Sequence, residues 1–191
     1  ALGTTGNMSL LANWELINYP ITYELNGGEC NEELKESYTI VDSFQLLTPT
    51  KAGYTFQGWY TTKDFSGSRV YSVLSNQTGA RTFYAKWTAI KYCITYDVNG
   101  GNEVADTTFT VESATFDLPK ATRAGYTFAG WYLEPECRTQ ITKVEKGKYT
   151  DSFTVYADWT ENPYNITYVV NKGGLPEGAP ATYGTSTGVE K

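Results

Sequence analysis

The stretch GYTFQGWY at residues 53–60 returns at 125–132 as GYTFAGWY. This echo constrains the fold more than any other feature, because self-similarity at a fixed spacing means one structural unit built repeatedly. It extends well beyond eight letters. Residues 14–28 read WELINYPITYELNGG, residues 87–101 WTAIKYCITYDVNGG, and residues 159–174 WTENPYNITYVVNKGG. Trp14, Trp87 and Trp159 mark the starts, 73 and 72 residues apart. The closing segments TFYAKW (82–87) and TVYADW (154–159) keep the same period, and SLLANW (9–14) has the same pattern. The expected organisation is a closing strand of a truncated preceding repeat at 1–14, repeats at 15–87 and 88–159, and opening strands of a truncated following repeat at 160–191. The chain then reads as a slice of a longer array. The joints TAIKY and TENPY are short and neither Ser-rich nor Gly-rich, which predicts closely coupled units in an elongated, stiff array.

Within a unit the signals favour strands. Sixteen Tyr and five Trp, with many Thr and Val, fit a pleated, half-buried surface. ITYELNGG alternates Ile21, Tyr23 and Leu25 against Thr22 and Glu24 and ends on an Asn-Gly turn signal. SYTIVDSFQLL predicts a second extended run, broken at TPTKAG by Pro49 and Gly53. GYTFQGWY predicts a third strand, with Tyr54 and Phe56 on one side and Thr55, Gln57 and Trp59 on the other. SRVYSVL fits a short strand or one helical turn, and RTFYAKW closes the unit with Phe83 and Ala85 on one face. No stretch carries a 3.6-residue apolar stripe with caps.

Several function classes are disfavoured. A net charge of −6, with the basic residues scattered, argues against a nucleic-acid partner. No apolar run approaches the eighteen or more residues of a membrane-spanning helix, so no membrane insertion is expected. Residues 1–10 lack the basic start and apolar middle of a signal peptide. The chain has no histidine, which removes the commonest general base, the Ser-His and Cys-His nucleophile pairs and the commonest zinc ligand. Cys30, Cys93 and Cys137 are odd in number and lack CxxC spacing. Cys137 lies beside Arg138, which could lower a thiol pKa, but a stray cysteine is the plainer reading. Carboxylates cluster at Glu32, Glu33 and Glu36 and at Glu134 and Glu136, in unrelated positions of the repeat, so they read as solvated loop charges. No DxDxDG-like spacing supports calcium. No catalytic, cofactor-binding or metal-ligating residue is therefore assigned.

The aromatic residues remain. Trp59 and Trp131 could stack on a sugar, but their place in alternating strands beside Gly58 and Gly130 favours burial. Tyr54, Phe56, Trp59, Tyr126, Phe128 and Trp131 are expected to build the unit cores. Trp14, Trp87 and Trp159, at the unit boundaries, are expected to wedge between neighbouring repeats.

ITYxLNGG, PTKAGYTFxGWY and TFYAKW at about seventy-residue spacing resemble the Listeria/Bacteroides repeat family, the B-repeat module of internalin-type surface proteins. The match runs over nearly the whole chain. It departs at LPKATRAGYTF, at Asn171-Lys172-Gly173-Gly174 and at Cys93, which stands where the first repeat has Pro20. The resemblance implies a β-rich α+β class, as tandem β-grasp (ubiquitin-like) repeats, and an extracellular, bacterial cell-surface or secreted setting. It implies a non-enzymatic spacer or stalk of an adhesin-like protein whose host or cell-surface partner is unknown. The rival expectation is a module that recognises a host protein or glycan through exposed aromatics, such as Tyr71 and Tyr149, or through sheet edges. The cut repeats at both ends further predict head-to-tail self-contacts or disordered ends.

Overall fold

A computed structural model describes residues 6, 7, 9–170, 172–175 and 177–184, so Asn171 and the last seven residues lie outside the described residues. The chain divides into two compact units, Ala1–Thr88 and Ala89–Lys191.

In the first unit the strands are β1 (Tyr19–Glu24), β2 (Ser37–Tyr38), β3 (Phe44–Gln45), β4 (Tyr54–Tyr60), β5 (Ser72–Val73) and β6 (Arg81–Ala89). The main sheet has the order β2-β1-β6-β4, and β3 pairs with β5 in a small second sheet. The opening strand β1 is antiparallel to β2 but parallel to the closing strand β6. Parallel neighbours need a long crossover, and residues 25–80 supply it. The second unit repeats the plan with β7 (Tyr92–Asp97), β8 (Thr107–Phe109), β9 (Phe116–Asp117), β10 (Tyr126–Tyr132), β11 (Gln140–Ile141), β12 (Lys143–Val144) and β13 (Phe153–Glu161). Its main sheet runs β11-β10-β13-β7-β8, again with opening and closing strands parallel.

The described residues hold strands and no helix, which corrects the α part of the α+β expectation. The crossover lacks an amphipathic stripe and is cut by Pro49 and Gly53, so two-residue strands pair across it instead. SRVYSVL becomes strand: Val70 bridges Trp59 and β5 follows. SYTIVDSFQLL is not one run. It breaks into β2 and β3 around a turn in which the Asp42 N–H donates to Thr39 O and the Asp42 carboxylate accepts from the Thr39 N–H (2.7 Å) and hydroxyl (2.8 Å).

The third strand also departs from simple alternation. Along β10 the pairing with β13 shifts between Phe128 and Gly130, so Phe128 faces Trp159 while Gly130 faces Asp158 and Ala129 is the extra residue. Such a bulge turns the strand by one position. Trp131 thereby returns to the side of Phe128, their ring centroids 5.3 Å apart; Phe56 and Trp59 meet likewise at 5.6 Å. The expectation that Phe56 and Trp59 lie on opposite faces is therefore corrected. The reason is glycine: Gly58 and Gly130 have φ of +125° and +148°, a region open mainly to a residue without Cβ.

The first core gathers Ile21, Tyr38, Leu46, Trp59, Val73, Phe83 and Ala85. The second buries Ile94, Tyr96, Phe109, Trp131, Val155 and Ala157, among others. At about 1.5–3 kcal/mol for each large apolar side chain removed from water, these few residues supply the main driving force of units this small.

The segments outside the complete repeats differ from expectation. Residues 9–14 form no strand, and Trp14 is 88% exposed. A closing strand owes its place to an opening strand beside it, and none pairs with 9–14 among the described residues. Of NITYVV only Asn165 is in a strand: β14 (Tyr164–Asn165) pairs with β15 (Thr182–Tyr183).

Candidate functional site

The repeated aromatic residues converge in each unit on one cluster. In the first, Tyr23 meets the edge of Trp59 at 5.4 Å, Trp59 meets Phe56, and Phe56 meets Trp87 at 5.3 Å. In the second, Tyr96, Trp131, Phe128 and Trp159 form the same chain at 4.9, 5.3 and 5.3 Å. Tilted and edge-on contacts at these distances are the favoured geometry of aromatic pairs. Trp59 and Trp131 are each only 2% exposed. Their indole N–H groups donate to the carbonyls of Leu47 (2.8 Å) and Pro119 (2.6 Å), which satisfies the one polar atom that burial would otherwise strand. Neither ring offers a face to a sugar.

The boundary tryptophans occupy two kinds of place. Trp14 is exposed to solvent. Trp87 lies against its own unit's core, donating from Nε1 to Leu25 O at 2.9 Å, and Trp159 donates to Val98 O at 3.0 Å in the same manner. The physical reason is the second glycine of each Asn-Gly-Gly turn. A Cβ on Gly28 would lie 2.4 Å from Trp87 Cζ2, and one on Gly101 would lie 2.6 Å from Trp159 Cζ2, so the bare backbone at these glycines is the indole's seat. The rings turn inward because their own turn is shaped to receive them.

Around that seat lies a set of polar residues that sequence reasoning passed over. Asn26 and Asn99, at φ of 51° and 44°, donate from their amides to the carbonyls of Ala85 (2.8 Å) and Ala157 (3.4 Å), tying the turn to the closing strand. A cation then clasps the turn from outside. Lys51 Nζ donates to Asn26 O at 2.8 Å and lies 4.1 Å over the Tyr54 ring; Arg123 donates to Asn99 O at 3.1 Å and lies 3.9 Å over Tyr126. Their signal was available: both cations sit two residues before the Gly of GYTF.

Burial pushes the Tyr23 and Tyr96 phenols above their ordinary value, keeping them neutral. The thiols of Cys30 and Cys137 are also raised, by desolvation first and then by neighbouring acids: Glu32 for Cys30, and Asp158, Glu136 and Glu134 for Cys137. Arg138 does not activate Cys137, and a raised thiol is a poor nucleophile. Glu32 and Glu33 line an open cleft with Tyr23 and Lys35, whereas Glu134 accepts the Thr139 N–H at 3.0 Å. The two acidic clusters occupy different surroundings, without a shared geometry. Tyr71 is 63% exposed beside Arg69 and Gln45, and Tyr149 is half-buried against Phe153 at 4.9 Å.

Comparisons with known proteins agree with this structural reading. The model of the Listeria-Bacteroides repeat domain matches residues 19–86 and 92–158. Internalin H of Listeria monocytogenes is 34% identical over 137 residues, covering 67% of this chain and 24% of that protein. Two proteins of Evansella cellulosilytica are similar over more of the chain. One, provisionally named a membrane protein, is 29% identical over 86% of this chain and 24% of its own length. The other, provisionally named a Gly-rich membrane protein, is 28% identical over 88% of this chain and 19% of its own length. The chain thus spans about a quarter or less of the length of these relatives. With two matched units that build the same aromatic cluster on the same glycine seat, the chain belongs to the Listeria-Bacteroides repeat domain family.

Proposed function

We propose that this chain is a non-enzymatic spacer, a pair of repeat units that helps carry other domains of a bacterial surface or secreted protein. One observation carries the reading: Trp59 and Trp131, at the centre of the stretch that recurs from unit to unit, are each 2% exposed, and half-buried Phe56 and Phe128 pack against them. A ligand-binding repeat would spend its recurring residues outward. The similarity to internalin H favours a surface setting. We also assign the unit to the β-grasp class. The second unit's order β11-β10-β13-β7-β8, in which the parallel pair β13-β7 is flanked by antiparallel β10 and β8, supports it, short strands taking the place of the helix in the crossover.

One exposed feature favours the rival recognition reading, the Tyr71 ring beside Arg69 and Gln45 in the first unit. The discriminating experiment screens the chain against glycan and host-protein arrays beside Tyr71→Ala, whose melting should be unchanged. The spacer reading expects no saturable binding by either. A ligand bound by the native chain and lost in Tyr71→Ala overturns it.

A further inference from the structure

In each complete unit the opening and closing strands lie side by side and point the same way. β7 and β13 pair in parallel from Ile94 opposite Phe153 to Asp97 opposite Tyr156, and β1 and β6 from Ile21 opposite Arg81 to Glu24 opposite Tyr84. The chain enters a unit at the start of the opening strand and leaves it at the end of the closing strand. Tension along the chain therefore pulls the two strands in opposite directions along their common axis. Ladder hydrogen bonds bridge the strands, so this load shears all of them at once. Antiparallel opening and closing strands would put entry and exit at one end, and the same tension would open the bonds one after another. Tension also passes from unit to unit with little slack, because β6 ends at Ala89 and β7 begins at Tyr92.

The Asn-Gly-Gly turn extends the sheared interface beyond the paired residues. Past Tyr156 the closing strand runs on through Ala157 and Trp159. Ala157 O accepts the Asn99 side-chain amide at 3.4 Å, and Trp159 Nε1 donates to Val98 O at 3.0 Å. In the first unit the same two bonds join Asn26 to Ala85 (2.8 Å) and Trp87 to Leu25 (2.9 Å). Each ties the closing strand to the turn that follows the opening strand, so each lies across the same line of slip. The core resists slip as well. Ile94, Val155 and Ala157 are wholly buried, and sliding one strand by a single residue would turn its inward side chains to the other face.

We propose that each unit is a shear clamp: under tension along the chain it holds its length until the parallel strand pair and the two turn bonds break together. The proposal rests on the spacer reading, which supplies the tension by setting the units between other domains. Forced unfolding is governed by the rate of crossing the unfolding barrier and not by equilibrium stability. The direction of pull therefore changes the strength of a unit whose melting temperature is unaltered, and this separates a clamp from a domain that is merely stable.

The test is optical-tweezers unfolding of the whole chain, with Cys30, Cys93 and Cys137 replaced by serine and handles attached through pairs of cysteines at exposed positions. Lys91→Cys with Pro163→Cys loads the second unit along β7 and β13. Glu136→Cys with Asp151→Cys loads it across the end where β10 and β13 pair antiparallel, Tyr132 opposite Tyr156, which unzips them. At one pulling rate the first geometry should need at least twofold the force of the second, although both chains melt alike. Asn99→Gly with Trp159→Phe removes both turn bonds, and glycine keeps the φ of 44°. This pair should lower the force in the first geometry only, because Trp159 lies toward the end of β13 away from the unzipping load. Trp159→Phe alone, which keeps the ring, takes its place if the pair does not melt cooperatively. A difference below twofold between the geometries would overturn the clamp, as would a loss of force on substitution that is absent or equal in both. The spacer reading is decided separately, by the binding screen.

Discussion

Gly28→Ala tests whether the Asn-Gly-Gly turn is shaped for the indole of Trp87. Gly28 lies outside the left-handed region of φ, so the backbone accepts alanine there and any cost is steric. The new methyl would meet Trp87 Cζ2 at 2.4 Å and Thr50 O at 3.1 Å. The ring must withdraw, which strains or breaks the bond from its Nε1 to Leu25 O and its contact with Phe56. A lost hydrogen bond is worth about 1 kcal/mol, a lost aromatic pair about 1 kcal/mol, and forced repacking about 1–3 kcal/mol; with partial relaxation the net loss is about 2–4 kcal/mol. A unit of this size has only some 4–10 kcal/mol in total, so its melting temperature should fall by about 10 °C or more. The assay is guanidinium and thermal unfolding followed by near-ultraviolet circular dichroism, in a cycle with Trp87→Phe. The smaller ring leaves room for the methyl, so in that background Gly28→Ala should cost less than about 1 kcal/mol. Equal cost in both backgrounds would refute the reasoning. Gly101→Ala should lose as much but be rescued less by Trp159→Phe, because the carbonyls of Thr122 and Val98, both 3.0 Å from the new Cβ, cannot withdraw.

Two further perturbations separate the units. The Thr39 N–H and hydroxyl hold the Asp42 carboxyl below the usual carboxylate range, so its contribution is full above the ordinary Asp pKa and is lost as pH falls through the lowered folded value. Ser113 caps the matching turn through its hydroxyl at 3.0 Å from the Thr110 N–H. Acidification should therefore shift the amide resonance of Thr39 and not that of Thr110, and Asp42→Asn should abolish the Thr39 titration. Lys51→Arg should melt like the native chain, since Arg123 already does the same task in the second unit, whereas Lys51→Ala should cost about 1 kcal/mol in urea melts through the lost carbonyl bond and ring contact.

What was legible in the sequence depended on the range of the cause. The opening and closing strands are written in two-residue alternation, and Ile21, Phe83 and Ala85 lie inward as their pattern demands. The third strand misled because alternation assumes one residue per pleat; the bulge before Gly130 inserts an extra one, and Gly58 has the matching positive φ. The glycine marked the place, but only the partner strand shows that pairing slips there. The seats of Trp87 and Trp159 within their own units escaped the sequence for a different reason. A residue at the end of a repeat can face either neighbour, and the choice is set by a glycine about sixty residues earlier, Gly28 for Trp87 and Gly101 for Trp159. That contact becomes visible only once opening and closing strands lie parallel.

The differences between the two units argue the same point as the likenesses. Where they differ inside the framework, the physical task is kept: Lys51 and Arg123 both clasp the turn, and Asp42 and Ser113 both cap one. Arg69 and Gln140 likewise donate to the matching carbonyls of Gln57 and Ala129, whereas on the open surface exposed Tyr71 is Thr142 in the second unit. Substitution that preserves a packing task while letting the surface drift is the pattern expected of a part retained for its shape. If binding were the shared task of the units, the drift would run the other way, with cores free to repack and one exposed constellation held constant.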